Sequence, residues 1–152
     1  MSFFPYQKIV LYAENNPADR SLIREAMKEV NVSYEMQFVA DGEELLDYLN
    51  HKGKYEDKKQ FPLPHIILMD NDMPRVNGLE ALKILKENDQ FRKIPVIGFS
   101  TTEDPQKIQQ FYQAGATAYI IKSIDFSGLA EALKSIEDFW FQIVRLPDPN
   151  TY

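Results

Sequence analysis

The 152-residue sequence has no cysteine, only two histidines, and no apolar run of transmembrane length. Each absence removes a class of chemistry. Without cysteine there is no disulfide, no thiol catalysis and no thiolate metal site, which fits a reducing compartment. His51 and His65 alone do not make a histidine-rich metal site. Positive charge is also short: 17 Lys and Arg against 23 Asp and Glu leave a net charge of −6. No basic stripe is available to neutralise phosphates, which argues against nucleic acid and against an anionic membrane surface. The start, MSFFPYQK, lacks the basic region and long apolar stretch of a secretory signal. The expectation is a cytoplasmic protein with one domain over 1–152, long enough to bury a core without staples.

What the chain does have is two apolar runs that each stop on an acid. In HIILMDNDMP (65–74) the run ends on Asp70 and turns through Asn71-Asp72-Met73-Pro74. Such a run reads as a strand buried on both faces, the pattern of a parallel sheet covered by helices. An ionised carboxylate belongs at the mouth of that strand, since deeper burial costs several kcal/mol. KIVLYA (8–13) stops in the same way on Glu14. These two endings predict one acidic pocket at one edge of one sheet.

Strand-like and helix-like segments alternate along the chain, the mark of an α/β fold. Further strands are expected at 34–40, 95–100 and 117–122, the first of them alternating like a sheet edge. Asn16-Pro17-Ala18-Asp19 opens the first helix with a cap, a proline and an early acid. Asp41-Gly42-Glu43-Glu44 has the form of a capping box for the second. Asn77 caps the third, Asp104-Pro105 opens the fourth, and Gly115 closes it. Asp125 caps a last helix expected to run to about Val144, leaving a short tail, LPDPNTY. The stretch 53–64 is polar and proline-punctuated and reads as a loop. Five strands and five helices make a doubly wound (βα)5 sheet, with right-handed crossovers placing helices on both faces. Ligands of such sheets sit beyond the C-terminal strand ends. Glu14, Asp70, Ser100 and Lys122 all fall there.

Close carboxylates repel, so an empty pocket should raise the pKa of at least one or take up a cation. A hard oxygen site with few carboxylates suits Mg²⁺ better than a soft metal. A carboxylate beside Mg²⁺ and a lysine can attack a phosphoryl group and form an aspartyl phosphate.

With these residues in place, the sequence resembles the receiver domain of two-component response regulators over essentially its whole length. ENNPADRSLI, MPRVNG, KIPVIGFSTTED, GATAYIIK and KSIEDFWFQIV look most like the standalone regulators associated with bacterial phytochrome kinases. The resemblance implies a flavodoxin-like five-stranded parallel sheet of order 2-1-3-4-5. It also implies that Asp70 is the phosphoacceptor, Lys122 pairs with the phosphoryl oxygens, Ser100 senses them, and Tyr119 is the aromatic switch. Glu14 and Asn15 align with the acidic pair that holds Mg²⁺, together with Asp70 and Asp72. The implied partner is a histidine kinase or phosphotransfer protein in a phosphorelay, with no output domain after residue 145 and at most autophosphatase activity. Two positions depart from the pattern. Asn15 replaces an acid, so metal affinity should fall. Ser123 replaces the proline after the lysine, which removes the usual reason for a cis peptide there.

Three other readings compete. A degenerate receiver, acting as a phosphate-independent interaction module, is supported by Asn15. A haloacid-dehalogenase-like phosphatase is imitated by Asp70-Asn71-Asp72, but that family places its motif on the first strand. A flavodoxin lacks support, because the loop after the first strand has no Ser/Thr/Gly phosphate cradle. In the last helix, Leu129, Leu133, Ile136 and Trp140 form a stripe for the sheet. Phe139 and Ile143 form a second stripe, expected to make a homodimer or to lie under the folded-back tail.

Overall fold

The structure, a computed structural model, describes residues 7–122 and 125–150. The bond after Lys122, where Ser123 replaces proline, lies outside the described residues. β1 (Ile9–Ala13), β2 (Glu35–Val39), β3 (Ile66–Met69), β4 (Val96–Ser100) and β5 (Ala118–Ile121) form one parallel sheet, ordered β2-β1-β3-β4-β5. The fold class expected from the sequence is the one observed. β1, β3 and β4 are buried throughout, as uninterrupted apolar runs require, while β2 shows the mixed exposure of an edge.

The helices are α1 (Pro17–Glu29), α2 (Gly42–Leu49), α3 (Gly78–Glu87), α4 (Pro105–Gln113) and α5 (Phe126–Ser135). Successive strand residues point to opposite faces, which splits the core in two. Val10, Tyr12, Leu68, Ile97 and Phe99 meet Ile23 and Ala26 of α1 and Leu129 and Leu133 of α5. Leu11, Ala13, Ile67, Met69 and Val96 meet residues of α2, α3 and α4.

All five expected N-caps form. The side chains of Asn16, Asp41, Asn77, Asp104 and Asp125 accept from the amides of Ala18, Glu44, Glu80, Gln106 and Gly128. Each bond satisfies a donor that a helix start leaves open, an effect of about 1 kcal/mol. The capping box at Asp41 is only half made. Glu44 does not return to the cap but accepts from the Tyr55 hydroxyl, with Lys54 at 3.7 Å.

Three further details differ from the sequence reading. The segment 53–64 is anchored rather than merely solvated: it holds a 3-10 turn (Gly53–Tyr55), and Tyr55 and Phe61 pack on Tyr48. The last helix does not continue to Val144 as an α-helix. Past Ser135 it widens into a π-helix (Ile136–Phe141), marked by the Val144 amide donating to the Phe139 carbonyl five residues back. Buried Glu137 anchors that segment by accepting from the Ser33 amide (3.1 Å) and hydroxyl (3.0 Å). Phe141 turns in against Tyr34 and Trp140 packs at the core's margin, while Phe139 and Ile143 stay exposed. The tail does fold back, but over the start of β3 and not over that exposed strip. Asn150 accepts from the Leu63 amide (2.7 Å) and donates to its carbonyl (2.9 Å). Among the described residues no helix is long and apolar enough to cross a membrane.

Candidate functional site

Parallel register brings the predicted strand ends to one edge. The Asp70 amide donates to the Ala13 carbonyl (3.2 Å), which seats Asp70 beside Glu14. The Lys122 amide donates to the Ser100 carbonyl (2.7 Å), which seats those two together. The turn after β3 is held close. Gly78 lies so near the Asp70 carbonyl that a Cβ there would overlap it. Arg75, in the left-handed region at φ 63°, is fastened by a 2.7 Å bond to Asp41 and a 3.2 Å contact to Glu43.

The inner end of the pocket is a tight charge cluster. Glu14, 1 % exposed, accepts from the Asn16 amide (3.0 Å), the Tyr12 hydroxyl (3.0 Å) and the Lys122 ammonium (2.9 Å). Lys122 also donates to the Tyr12 oxygen (3.3 Å) and to Asp19 (3.4 Å). Burial pushes the Glu14 carboxyl up, but the Asn16 amide, Lys122 and Tyr12 outweigh it and hold it below the ordinary glutamate value. For Lys122 burial acts downward, and Glu14, Asp19 and Asp70 reverse it, so the ammonium is held above its ordinary value. Asp70 goes the other way. Burial and then the Glu14 charge raise it to about 6, against the pull of Lys122 and of the Asp72 amide. The repulsion expected of paired carboxylates is therefore carried by Asp70.

Ser100 is buried, and its hydroxyl accepts from the Thr102 amide (3.3 Å). The half-buried Tyr119 packs edge-on against Phe111, and its hydroxyl donates to the Thr102 carbonyl (3.1 Å). Its ring occupies the space that a Cβ at Gly98 would fill. Asn15 and Asp72 are exposed at the pocket's outer side.

The structure thus gathers Glu14, Asp70, Ser100 and Lys122 at one edge as the sequence predicts, and it pairs Lys122 with Glu14 and Asp19. Tyr12 and Asp19 are the residues that sequence reasoning missed. Tyr12 reads as core because it lies inside an apolar strand, and Asp19 reads as a helix-dipole acid. The available signal was positional: Tyr12 points to the same face as Glu14, two residues on.

For a metal, the open donors are hard oxygens: the Asp70 and Asp72 carboxylates and the Asn15 amide. They fit a cation that keeps most of its waters, and the raised Asp70 is the group a cation would relieve. Among the described residues no three His, Cys, Asp or Glu side chains stand ready to enclose an ion. Glu14 is engaged with Lys122, so its part as a direct ligand would need that ion pair to open.

The profile of the response regulator receiver domain matches residues 10–134. The response regulator Rcp1 of Synechocystis sp. is 30 % identical over 140 residues, covering 92 % of this chain and 93 % of that protein. Among solved structures, response regulator RPA3017 in red light signaling of R. palustris is 32 % identical with a TM-score of 0.87, covering 92 % of this chain and 98 % of that one. The phosphorylated cyanobacterial phytochrome response regulator RcpA is 34 % identical with a TM-score of 0.83, covering 93 % and 99 %. A Mn²⁺-bound form of Rcp1 is also similar, at 30 % identity and a TM-score of 0.80 over 92 % and 99 %. Receiver domains are signalling modules of two-component systems that bind a divalent metal, and those of phytochrome response regulators are phosphorylated by histidine kinases. The phosphatase and flavodoxin readings fall away with this match: the chain belongs to the response regulator receiver domain family.

Proposed function

We propose that Asp70 accepts a phosphoryl group from a histidine kinase or phosphotransfer protein of a cytoplasmic phosphorelay, and that the chain signals by binding a partner. A carboxylate oxygen of Asp70 attacks phosphorus, the P–N bond of the donor phosphohistidine breaks, and the departing imidazole takes up a proton. The product is an aspartyl phosphate, a mixed anhydride that water later cleaves as the site's autophosphatase activity. Lys122 and Ser100 contact the new oxygens, and Tyr119 follows Ser100 as the switch. Mg²⁺ would be held by Asp70, Asp72 and Asn15, more weakly than with an acid at 15, and would supply positive charge to offset that of the phosphoryl group. One observation carries this reading: Asp70 is seated at the mouth of β3 beside Glu14, and while Glu14 is taken up by Lys122, Asp70 is the one of the two without a cation partner among the described residues.

Intact mass after incubation with acetyl phosphate and Mg²⁺ tests it. One phosphoryl adduct is expected, lost in Asp70→Asn and on mild alkaline treatment; an adduct that survives the substitution would overturn the assignment. A phosphate-independent receiver is the second reading, favoured by Asn15 and by the Lys122–Glu14 pairing, and the same experiment decides against it when the adduct forms. For the partner surface we add a homodimer through the C-terminal region, supported by Phe139 and Ile143, which remain 50 % and 75 % exposed beside the docked tail.

A further inference from the structure

An ammonium group has three N–H donors. The Lys122 ammonium is surrounded by three acceptors within hydrogen-bond reach: Glu14 at 2.9 Å, the Tyr12 oxygen at 3.3 Å and Asp19 at 3.4 Å. These partners lie on β1, just past its end, and in the first turn of α1; none is on β3. Among the described residues none of the donors goes to Asp70. Tyr12 is fitted for this task in two ways. Its ring is wholly buried between Phe38 and Phe99, so its hydroxyl has no freedom to leave the pocket. Its proton goes to Glu14, so its oxygen is left to accept from the lysine. Asp19 is set by the Asn16 cap, whose side chain accepts from the Asp19 amide.

We propose that Tyr12 and Asp19 are positioning residues that park the Lys122 ammonium on Glu14, so that turning it toward Asp70 limits how fast the site takes a phosphoryl group. The proposal rests on the reading of Asp70 as phosphoacceptor. An incoming phosphoryl oxygen must displace one of the three acceptors. The buried Glu14 pair is the costly one to break, since it would leave a carboxylate without its partner. Asp19, with its side chain 41 % exposed, is the one water can replace. Removing either Asp19 or the Tyr12 hydroxyl therefore leaves Lys122 with a donor to spare. From the strength of partly exposed ion pairs, the acceleration should be about two- to five-fold.

The test uses the full chain and two readouts. The first is nitrogen NMR of the lysine ammonium at low temperature, where slow proton exchange marks an ammonium with all its donors engaged. The second is the rate of phosphorylation by acetyl phosphate with Mg²⁺. A protected Lys122 signal is expected in the wild type and in Asp70→Asn, with faster exchange in Asp19→Ala and in Tyr12→Phe, each of which removes one acceptor. Phosphorylation should speed up in the last two. Asp19→Ala changes a partly exposed side chain and guards against loss of fold in the core variant. An unprotected Lys122 in the wild type, or an unchanged or slower rate in a folded Asp19→Ala, would overturn the proposal. If the wild type takes no phosphoryl group at all, the reading of Asp70 falls, and the ammonium signal still decides whether Lys122 is parked.

Discussion

Replacing Asp70 by asparagine should stabilise the protein. Folding raises this carboxyl from 3.8 to about 6, chiefly by burial and then by the Glu14 charge. Keeping it ionised in the native state at neutral pH therefore costs roughly 3 kcal/mol, at 1.36 kcal/mol for each tenfold change in proton affinity. Water at the open side of the pocket screens part of this, which leaves about 1–2 kcal/mol for the variant to recover. The sign has a pH signature. Between about pH 4 and pH 6 the native state binds more protons than the unfolded chain, so this carboxyl makes stability fall as pH rises through that window. The gain in Asp70→Asn should be complete above pH 7 and shrink to about a third of that by pH 4.5. Urea unfolding of both proteins at pH 7.5 and 4.5 in EDTA measures it. A variant no more stable than wild type at pH 7.5, or a gain of equal size at both pH values, would refute the reasoning.

Titrating Mg²⁺ against tyrosine fluorescence should show roughly tenfold tighter binding in Asn15→Asp, which restores a charged ligand, and weaker binding in Asp72→Ala. If neither change moves the affinity, the metal is held elsewhere. Asn150→Ala removes both hydrogen bonds to Leu63 and should cost about 1–3 kcal/mol in urea unfolding, since the Leu63 amide loses its partner. An unchanged midpoint would mean that the tail contributes nothing to the fold. Light scattering during size-exclusion chromatography should report a dimer at high micromolar concentration and a folded monomer for Phe139→Glu. A wild-type monomer with and without phosphodonor would remove the dimer.

Much of the fold was legible because its signals are local. An apolar run ending on Asp70 or Glu14 marks both a buried strand and its mouth, since an ionised group resists deeper burial. The five N-caps were readable because each side chain bonds an amide two or three residues ahead. What stayed hidden depends on partners far along the chain. Glu137 meets Ser33, Asn150 meets Leu63, and the π-helix that the first of these accompanies leaves no periodicity to read. The sequence by itself determined the parallel sheet with helices on both faces and the gathering of Glu14, Asp70, Ser100 and Lys122 at one edge, while the strand order followed from the family resemblance. Only the tertiary structure decided which charges pair. Lys122 is 108 residues from Glu14, and its choice among three nearby acids rests on burial and on the Tyr12 hydroxyl between β1 and β5. Pairing is set by distances of a few ångströms inside the pocket, and no local pattern encodes them.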